Sequence, residues 1–260
     1  MAFNTLLVED KDGIRRITLN RPDKLNALNR ETLTELHAAF SDAATDASVR
    51  VVVLTGAGPT AFVAGADIAE MNGLSPAQAR DFSAHGQALM TRIERLGKPV
   101  IARLNGFALG GGLELAMACH LRIAADTAKV GQPEINLGLV PGFGGTQRLL
   151  RLAGRGVALE LCLLGAPISA ERAAGLGVVT RVVPADQLDA EVDALATQLA
   201  NSAPLALRGI LDAIVLGGEA PIDSGLDHET QVFAVTFSTQ DMKEGTDAFL
   251  ARRKPSFTGR

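Results

Sequence analysis

Short apolar runs alternate with helix-like segments through the first half of this 260-residue chain. The run Val49–Leu54 (VRVVVL) is rich in β-branched residues, which is typical of a strand covered on both faces of a sheet. Further strands are predicted at Leu6–Val8, Ile14–Leu19, Val100–Leu104 and Leu121–Ala125. The first two flank the polar turn EDKDG and suggest a hairpin. This alternation predicts a fold of the α/β class.

Two segments between these strands have the apolar spacing of helices. From Arg30 to Asp46, the residues Leu33, Leu36, Phe40 and Ala43 fall at helical intervals. A second helix is predicted to open at Ser75-Pro76, an N-cap followed by proline at the first helical position, and to stop at Gly97.

After about residue 185 the strand signals vanish. Four helices are predicted, at Leu188–Ser202, Pro204–Leu216, Ile222–Phe237 and Asp241–Arg252. We therefore divide the chain into a core (1–200) and a helical C-terminal region (201–260) that covers the core or packs against another subunit. The sequence has no internal repeat of fixed period.

Composition narrows the function classes. A formal charge of −4 argues against nucleic-acid binding, which usually leaves a basic footprint. The start resembles no secretory signal, and no charge-free apolar stretch reaches membrane-spanning length, so we expect no membrane association. Cys119 and Cys162 lie in apolar, helix-like runs, as reduced thiols of a cytoplasmic protein do. The histidines are scattered, so no metal site is expected.

Two glycine-rich apolar segments each carry a single glutamate, Glu114 in NGFALGGGLELAMACH and Glu134 in GQPEINLGLVPGFGGTQRL. Carboxylates in apolar surroundings bind protons more tightly, as acid–base chemistry near neutral pH requires. The alternative is a pair of solvated loop glutamates. The sequence has no Tyr or Trp, so carbonyl activation must rely on backbone or other side chains.

The glycines themselves suggest a second element of chemistry. If a helix begins near Gly111, its first N–H groups lack helical partners and can stabilise a developing oxyanion. The alternative is a glycine that eases helix–strand packing. Asp67, in AGADI, has two interpretations as well, a ligand contact or a turn or helix cap.

Together these segments resemble the enoyl-CoA hydratase/isomerase (crotonase) superfamily. The similarity spans most of the chain, in LNRPDKLNAL, VVVLTGAG, AFVAGADIAEM, PVIARLNGFALGGGLELAMACHLRIA, GQPEINLGLVPGFGGTQRL, SAERAAGLGVV and KEGTDAFLARRKPSF. The resemblance implies a spiral of ββα units with a helical C-terminal region that builds homotrimers or dimers of trimers. It also implies acyl-CoA thioester substrates and no separate cofactor, because coenzyme A is part of the substrate.

The resemblance assigns roles to individual residues. Ala66 and Gly111 match the two oxyanion-hole amides, Glu134 the group that protonates the α-carbon, and Glu114 the group that activates water at the β-carbon. The implied substrate contacts are Leu25, Ala64, Ala66, Asp67, Ile68, Gly111, Lys254 and Phe257. Position 69 departs from the pattern, because alanine stands where many hydratases have lysine.

The reaction implied is hydration of a trans-2-enoyl-CoA, and two rivals remain. A Δ3–Δ2 enoyl-CoA isomerase, or another enzyme acting through a thioester enolate, often needs one carboxylate instead of two. A non-catalytic RNA-binding or scaffold protein on the same fold is a rival of another class. The presence of both Glu114 and Glu134 favours hydration.

Overall fold

A computed structural model describes residues 3–260, so residues 1 and 2 of the predicted core lie outside the described part. The strands are β1 Leu6–Lys11, β2 Ile14–Leu19, β3 Val51–Gly56, β4 Ala61–Ala64, β5 Val100–Leu104, β6 Phe107–Leu109, β7 Leu121–Ala125, β8 Lys129–Gly131, β9 Ile168–Ser169 and β10 Arg181–Val183. The helices are α1 Arg30–Thr45, α2 Ile68–Met71, α3 Pro76–Glu94, α4 Gly111–Ala118, α5 Gly145–Leu164, α6 Ala170–Gly175, α7 Leu188–Ala200, α8 Pro204–Gly217, α9 Ile222–Thr236 and α10 Gln240–Leu250.

The strands form two sheets, and the chain alternates between them. The first sheet has the order β1-β2-β3-β5-β7-β10 and the second β4-β6-β8-β9. Thus β3, β5 and β7 lie in the first sheet, and the strand after each lies in the second and is followed by helical structure. This is a spiral of ββα units, so the predicted fold is confirmed.

The N-terminal hairpin is confirmed, but its turn is shorter than predicted. β1 extends to Lys11 and pairs with Ile14, so Glu9, Asp10 and Lys11 belong to the strand. Only Asp12 and Gly13 form the turn, with φ of 52° and 79°. Positive φ at both central residues suits a two-residue hairpin, because it matches the twist of the strands.

Local side-chain hydrogen bonds define where the two central helices begin. Asn29 caps α1 by accepting from the amide of Thr32. Ser75 caps α3 and Pro76 is its first helical residue, as predicted; Ser75 and Gln78 also form a reciprocal capping box. α3 ends at Glu94, before the predicted stop at Gly97.

The four C-terminal helices are confirmed with ends shifted by at most two residues. α7 packs against β2, β3, β5 and β7, whereas α8 and α9 pack mainly on each other. The division into 1–200 and 201–260 stays a prediction. Within residues 3–260, no single helix has the length and apolar character needed to cross a bilayer; the bent pair 185–200 and 204–217 passes that test only in combination.

Candidate active site

Helix α4 places the first carboxylate inside the protein. All of its residues are buried, and Glu114, in its first turn, is 1% exposed. Gly112 lets the helix approach β4 closely, because a Cβ there would lie 2.0 Å from the carbonyl oxygen of Val63. The packing interpretation therefore applies to Gly112, and the interpretation of Glu114 as a solvated glutamate is wrong.

Two backbone amides hold the Glu114 carboxylate. Phe143 and Gly145 donate to its Oε1 at 2.8 and 2.6 Å. Burial, and to a smaller extent the nearby charge of Glu134, together raise the pKa of Glu114 to about 7, although the two amides oppose the shift. Glu114 is therefore poised to exchange a proton near neutral pH.

The second carboxylate reaches the same place from the turn that follows β8. Glu134 lies in a short 3-10 helix, Pro133–Leu137, and burial raises its pKa. A methyl group on Gly110 would lie 2.9 Å from Oε1 of Glu134, so this carboxylate lies at the N-terminus of α4.

Gln132 is a site residue that the sequence interpretation missed. It is 0% exposed, and its side-chain amide lies beside Glu134; with the amide turned so that its nitrogen faces this carboxylate, the nitrogen is 3.0 and 3.1 Å from the two oxygens and can donate to both. Its place two residues before a candidate glutamate was the available signal. These hydrogen bonds fix the orientation of the Glu134 side chain.

A cavity of about 1060 Å³ joins the two carboxylates to two backbone amides. Its lining includes Glu114, Glu134, Ala66 and Gly111. Among the hydrogen bonds of residues 3–260, the amides of Ala66 and Gly111 have no acceptor. A carbonyl oxygen between these amides would therefore find two free donors and the pair of carboxylates in one cavity.

The other predicted contact residues divide into two groups. Ala64 and Ile68 line the cavity. Asp67 is absent from the cavity lining, and its carboxylate pairs with Arg21 at 3.0 Å. Leu25 also lies off the lining, with its carbonyl accepting from the amide of Ala64 at 3.0 Å.

The two C-terminal contact candidates lie away from this cavity. Lys254 is exposed, and Phe257 lies against Gly245 of α10. Neither belongs to the cavity lining within a single chain. Their predicted contacts with the coenzyme of a neighbouring subunit therefore stay a prediction of the resemblance.

The remaining potentially reactive side chains, those of histidine and cysteine, have structural roles. His120 accepts from the amide of Val100 through Nδ1 at 2.9 Å, and burial raises the pKa of the Cys119 thiol to about 12. Cys119 and Cys162 are free. In the described part of the chain no three His, Cys, Asp or Glu side chains form a metal-binding group.

The fold and the site together define a member of a known enzyme family. The enoyl-CoA hydratase/isomerase family model matches residues 9–260, and the chain belongs to this family. It is 45% identical over 257 residues to a crotonyl-CoA hydratase of Syntrophomonas wolfei, covering 99% of each chain. It is 43% identical to a short-chain-enoyl-CoA hydratase of Clostridium acetobutylicum, covering 98% of this chain and 97% of that one.

Solved structures show the same relationship. The chain superposes on the crystal structure of an enoyl-CoA hydratase from Bacillus anthracis with a TM-score of 0.95 at 40% identity. The match covers 99% of this chain and 100% of that one. Sequence and fold comparisons therefore agree on the family.

Proposed function

We propose that the protein is an enoyl-CoA hydratase that adds water reversibly across the double bond of a trans-2-enoyl-CoA to give a 3-hydroxyacyl-CoA. The observation that carries this proposal is the single cavity in which Glu114 and Glu134 face two unpaired amides, those of Ala66 and Gly111. The names of the relatives, crotonyl-CoA hydratase and short-chain-enoyl-CoA hydratase, support it.

In this proposal the two amides bind the thioester oxygen and stabilise the negative charge that develops on it. Glu114 takes a proton from water as the water oxygen bonds to the β-carbon. Glu134, protonated at the start, gives its proton to the α-carbon as the enolate collapses. Transfer of a proton from Glu114 back to Glu134 through solvent completes the cycle.

The same arrangement weighs against the rivals. An isomerase moves one proton between two carbons and needs only one carboxylate, whereas this cavity presents two, both with raised pKa. An RNA-binding role gains no support from a net charge of −4. No metal or separate cofactor is needed in the proposed reaction, because the coenzyme A moiety enters with the substrate.

Two thioesters separate hydratase from isomerase. Purified protein is mixed with crotonyl-CoA and, separately, with a 3-enoyl-CoA, and the absorbance of the conjugated thioester is followed. We expect rapid loss of absorbance with crotonyl-CoA. Inertness toward crotonyl-CoA, together with a gain of absorbance from the 3-enoyl-CoA, would replace hydration with isomerisation.

The rate of hydration is expected to depend on pH with a bell-shaped profile, because Glu114 must be ionised to accept a proton and Glu134 must be protonated to donate one. Burial raises the pKa of both carboxyl groups, that of Glu114 to about 7, so the maximum should lie above 4.5, the ordinary pKa of a glutamate. Since the carboxylates interact, both limbs describe the pair. The measurement is kcat between about pH 5 and 9, and a flat profile would contradict these roles.

The assembly and the remaining contacts form part of the same proposal. Apolar side chains of α8 and α9, among them Ile210, Ile214, Phe233 and Val235, are exposed in the single chain. Their exposure supports a homotrimer or a dimer of trimers built by region 201–260, in which Lys254 and Phe257 reach a neighbour's coenzyme A. The free cysteines are consistent with a cytoplasmic enzyme.

A further inference from the structure

Two aromatic rings form part of the wall of the cavity beside the carboxylates. Phe82 of α3 and Phe143 line the cavity, yet they are only 4% and 3% exposed. Their ring centroids are 5.2 Å apart, with the planes tilted by 58°. The pair therefore forms a solid apolar wall at a buried part of the cavity.

The ring of Phe143 packs so closely against Gly86 that only glycine fits at position 86. We call this contact surface the seat of the ring. A Cβ on Gly86 of α3 would lie 2.2 Å from ring atom Cδ1, closer than atoms can approach. On its other edge the ring faces Gly111, where a Cβ would lie 3.3 Å away. Ser83 anchors the preceding residue by donating to the carbonyl of Gly142 at 2.5 Å.

This seat sets the distance between the ring and the reacting carbons. The amide of Gly111 is one of the two donors proposed for the thioester oxygen. The amide of Phe143 itself donates to Glu114, the group proposed to act at the β-carbon. The ring and the reacting atoms therefore belong to one small volume, and an acyl chain that extends toward the ring meets it soon after the β-carbon.

We propose that Phe143, seated on Gly86 and backed by Phe82, is a specificity-determining residue that restricts the enzyme to short acyl chains such as crotonyl. This inference rests on the proposed function and names its substrate class. The alternative is that a longer acyl chain avoids the Phe143 ring and extends toward the cavity mouth at Leu74, Leu139 and Val140, where Val140 is 77% exposed.

The first test compares chain lengths. The ratio of kcat/KM for crotonyl-CoA to that for trans-2-decenoyl-CoA is measured in the wild type and in Phe143→Ala. We expect the wild type to favour crotonyl-CoA, and the variant to shift the ratio by about tenfold or more toward the longer chain. The ratio cancels any general loss of activity from loosening around Glu114. Phe143→Leu, which keeps the core filled, should shift it in the same direction; an unchanged ratio in both folded variants overturns the proposal.

The second test asks whether Gly86 sets the position of the Phe143 ring. In Gly86→Ala the new methyl group must push the Phe143 ring toward Gly111, so crotonyl-CoA turnover should fall about tenfold. Adding Phe143→Ala removes the clash and should recover much of the loss. Gly156→Ala on α5, where a Cβ meets no atom within 4 Å, is the matched control. If Gly86→Ala lowered turnover equally with and without Phe143→Ala, the proposed contact between Gly86 and the Phe143 ring would be contradicted.

Binding measurements keep this inference separate from the hydratase proposal. If crotonyl-CoA is not hydrated, the proposed function fails, but butyryl-CoA and decanoyl-CoA still report the depth of the acyl site. We expect wild-type protein to bind butyryl-CoA at least as tightly as decanoyl-CoA, and Phe143→Ala to reverse that order. Tighter binding of decanoyl-CoA by the wild type would overturn the short-chain assignment.

Discussion

Replacing Glu114 with glutamine is expected to slow hydration of crotonyl-CoA by about 10²–10⁴-fold. Glutamine keeps the size of the side chain and an oxygen that can accept from the amides of Phe143 and Gly145. It cannot take a proton from water, so only the acid–base contribution is lost. The measurement is the initial rate of absorbance loss at saturating substrate.

The same substitution should stabilise the folded protein at alkaline pH. The pKa of Glu114 is raised from 4.5 to about 7, so the folded state binds this proton more tightly than the unfolded chain. Stability from this group is therefore present below pH 4.5 and lost as the pH rises to 7, by about 3 kcal/mol. Urea unfolding at about pH 4.5 and about pH 8 should show Glu114→Gln gaining stability only at the higher pH.

A surface glutamate provides the control for both effects. Glu9 is exposed on β1, so Glu9→Gln should leave the hydration rate and the pH dependence of stability unchanged. A Glu114→Gln variant that hydrates crotonyl-CoA at the wild-type rate would remove Glu114 from the chemistry. A loss of stability at both pH values would show instead that its carboxylate is needed for packing.

Glu134→Gln is expected to reduce hydration by a similar factor, about 10²–10⁴-fold, for a different reason. Here the lost step is proton delivery to the α-carbon. Exchange of the α-protons of butyryl-CoA with deuterated water, followed by NMR, isolates that step because no water adds to a saturated thioester. We expect exchange to disappear in Glu134→Gln and to remain measurable in Glu114→Gln.

The opposite pattern of exchange would reverse the two roles. Exchange that survives in Glu134→Gln but is lost in Glu114→Gln would assign the α-proton to Glu114. Exchange that survives in both variants would remove the carboxylates from that step altogether. The hydration and exchange rates together therefore test each glutamate separately.

Elements governed by neighbouring residues were predictable. Ser75 followed by Pro76 marks the start of α3, and the apolar spacing from Leu33 to Ala43 identifies α1. The strands Val100–Leu104 and Leu121–Ala125 agree with the prediction to the residue. The hairpin turn was predicted too wide because three consecutive polar residues, Glu9, Asp10 and Lys11, end the exposed strand β1 and resemble a loop in the sequence.

The repeated ββα units do not correspond to a repeat in the sequence. β3, β5 and β7 begin at residues 51, 100 and 121, so successive units differ greatly in length. Each unit is defined by which sheet its strands join, and pairing between strands depends on backbone geometry that no fixed sequence period encodes. The structure therefore repeats while the sequence does not.

The candidate site, too, was predictable from the sequence only in part. The glycines indicated a helix that begins near Gly111, and the structure places Glu114 in its first turn and shows that it is buried. That Gln132 orients Glu134, and that Phe143 sits on Gly86, did not follow, because these partners meet only when separate elements pack.

The sequence by itself determined the class of fold, most of the helices and the two glutamates, because apolar periodicity, capping and an uncompensated charge are local properties. It also indicated five strands of the first sheet but none of the short strands of the second sheet. Only the tertiary structure decided that one cavity holds both carboxylates with the amides of Ala66 and Gly111, and that an aromatic wall closes part of it. The physical reason is that burial and distance arise when segments far apart in the chain pack together, and these two quantities set the pKa values and the shape of the site.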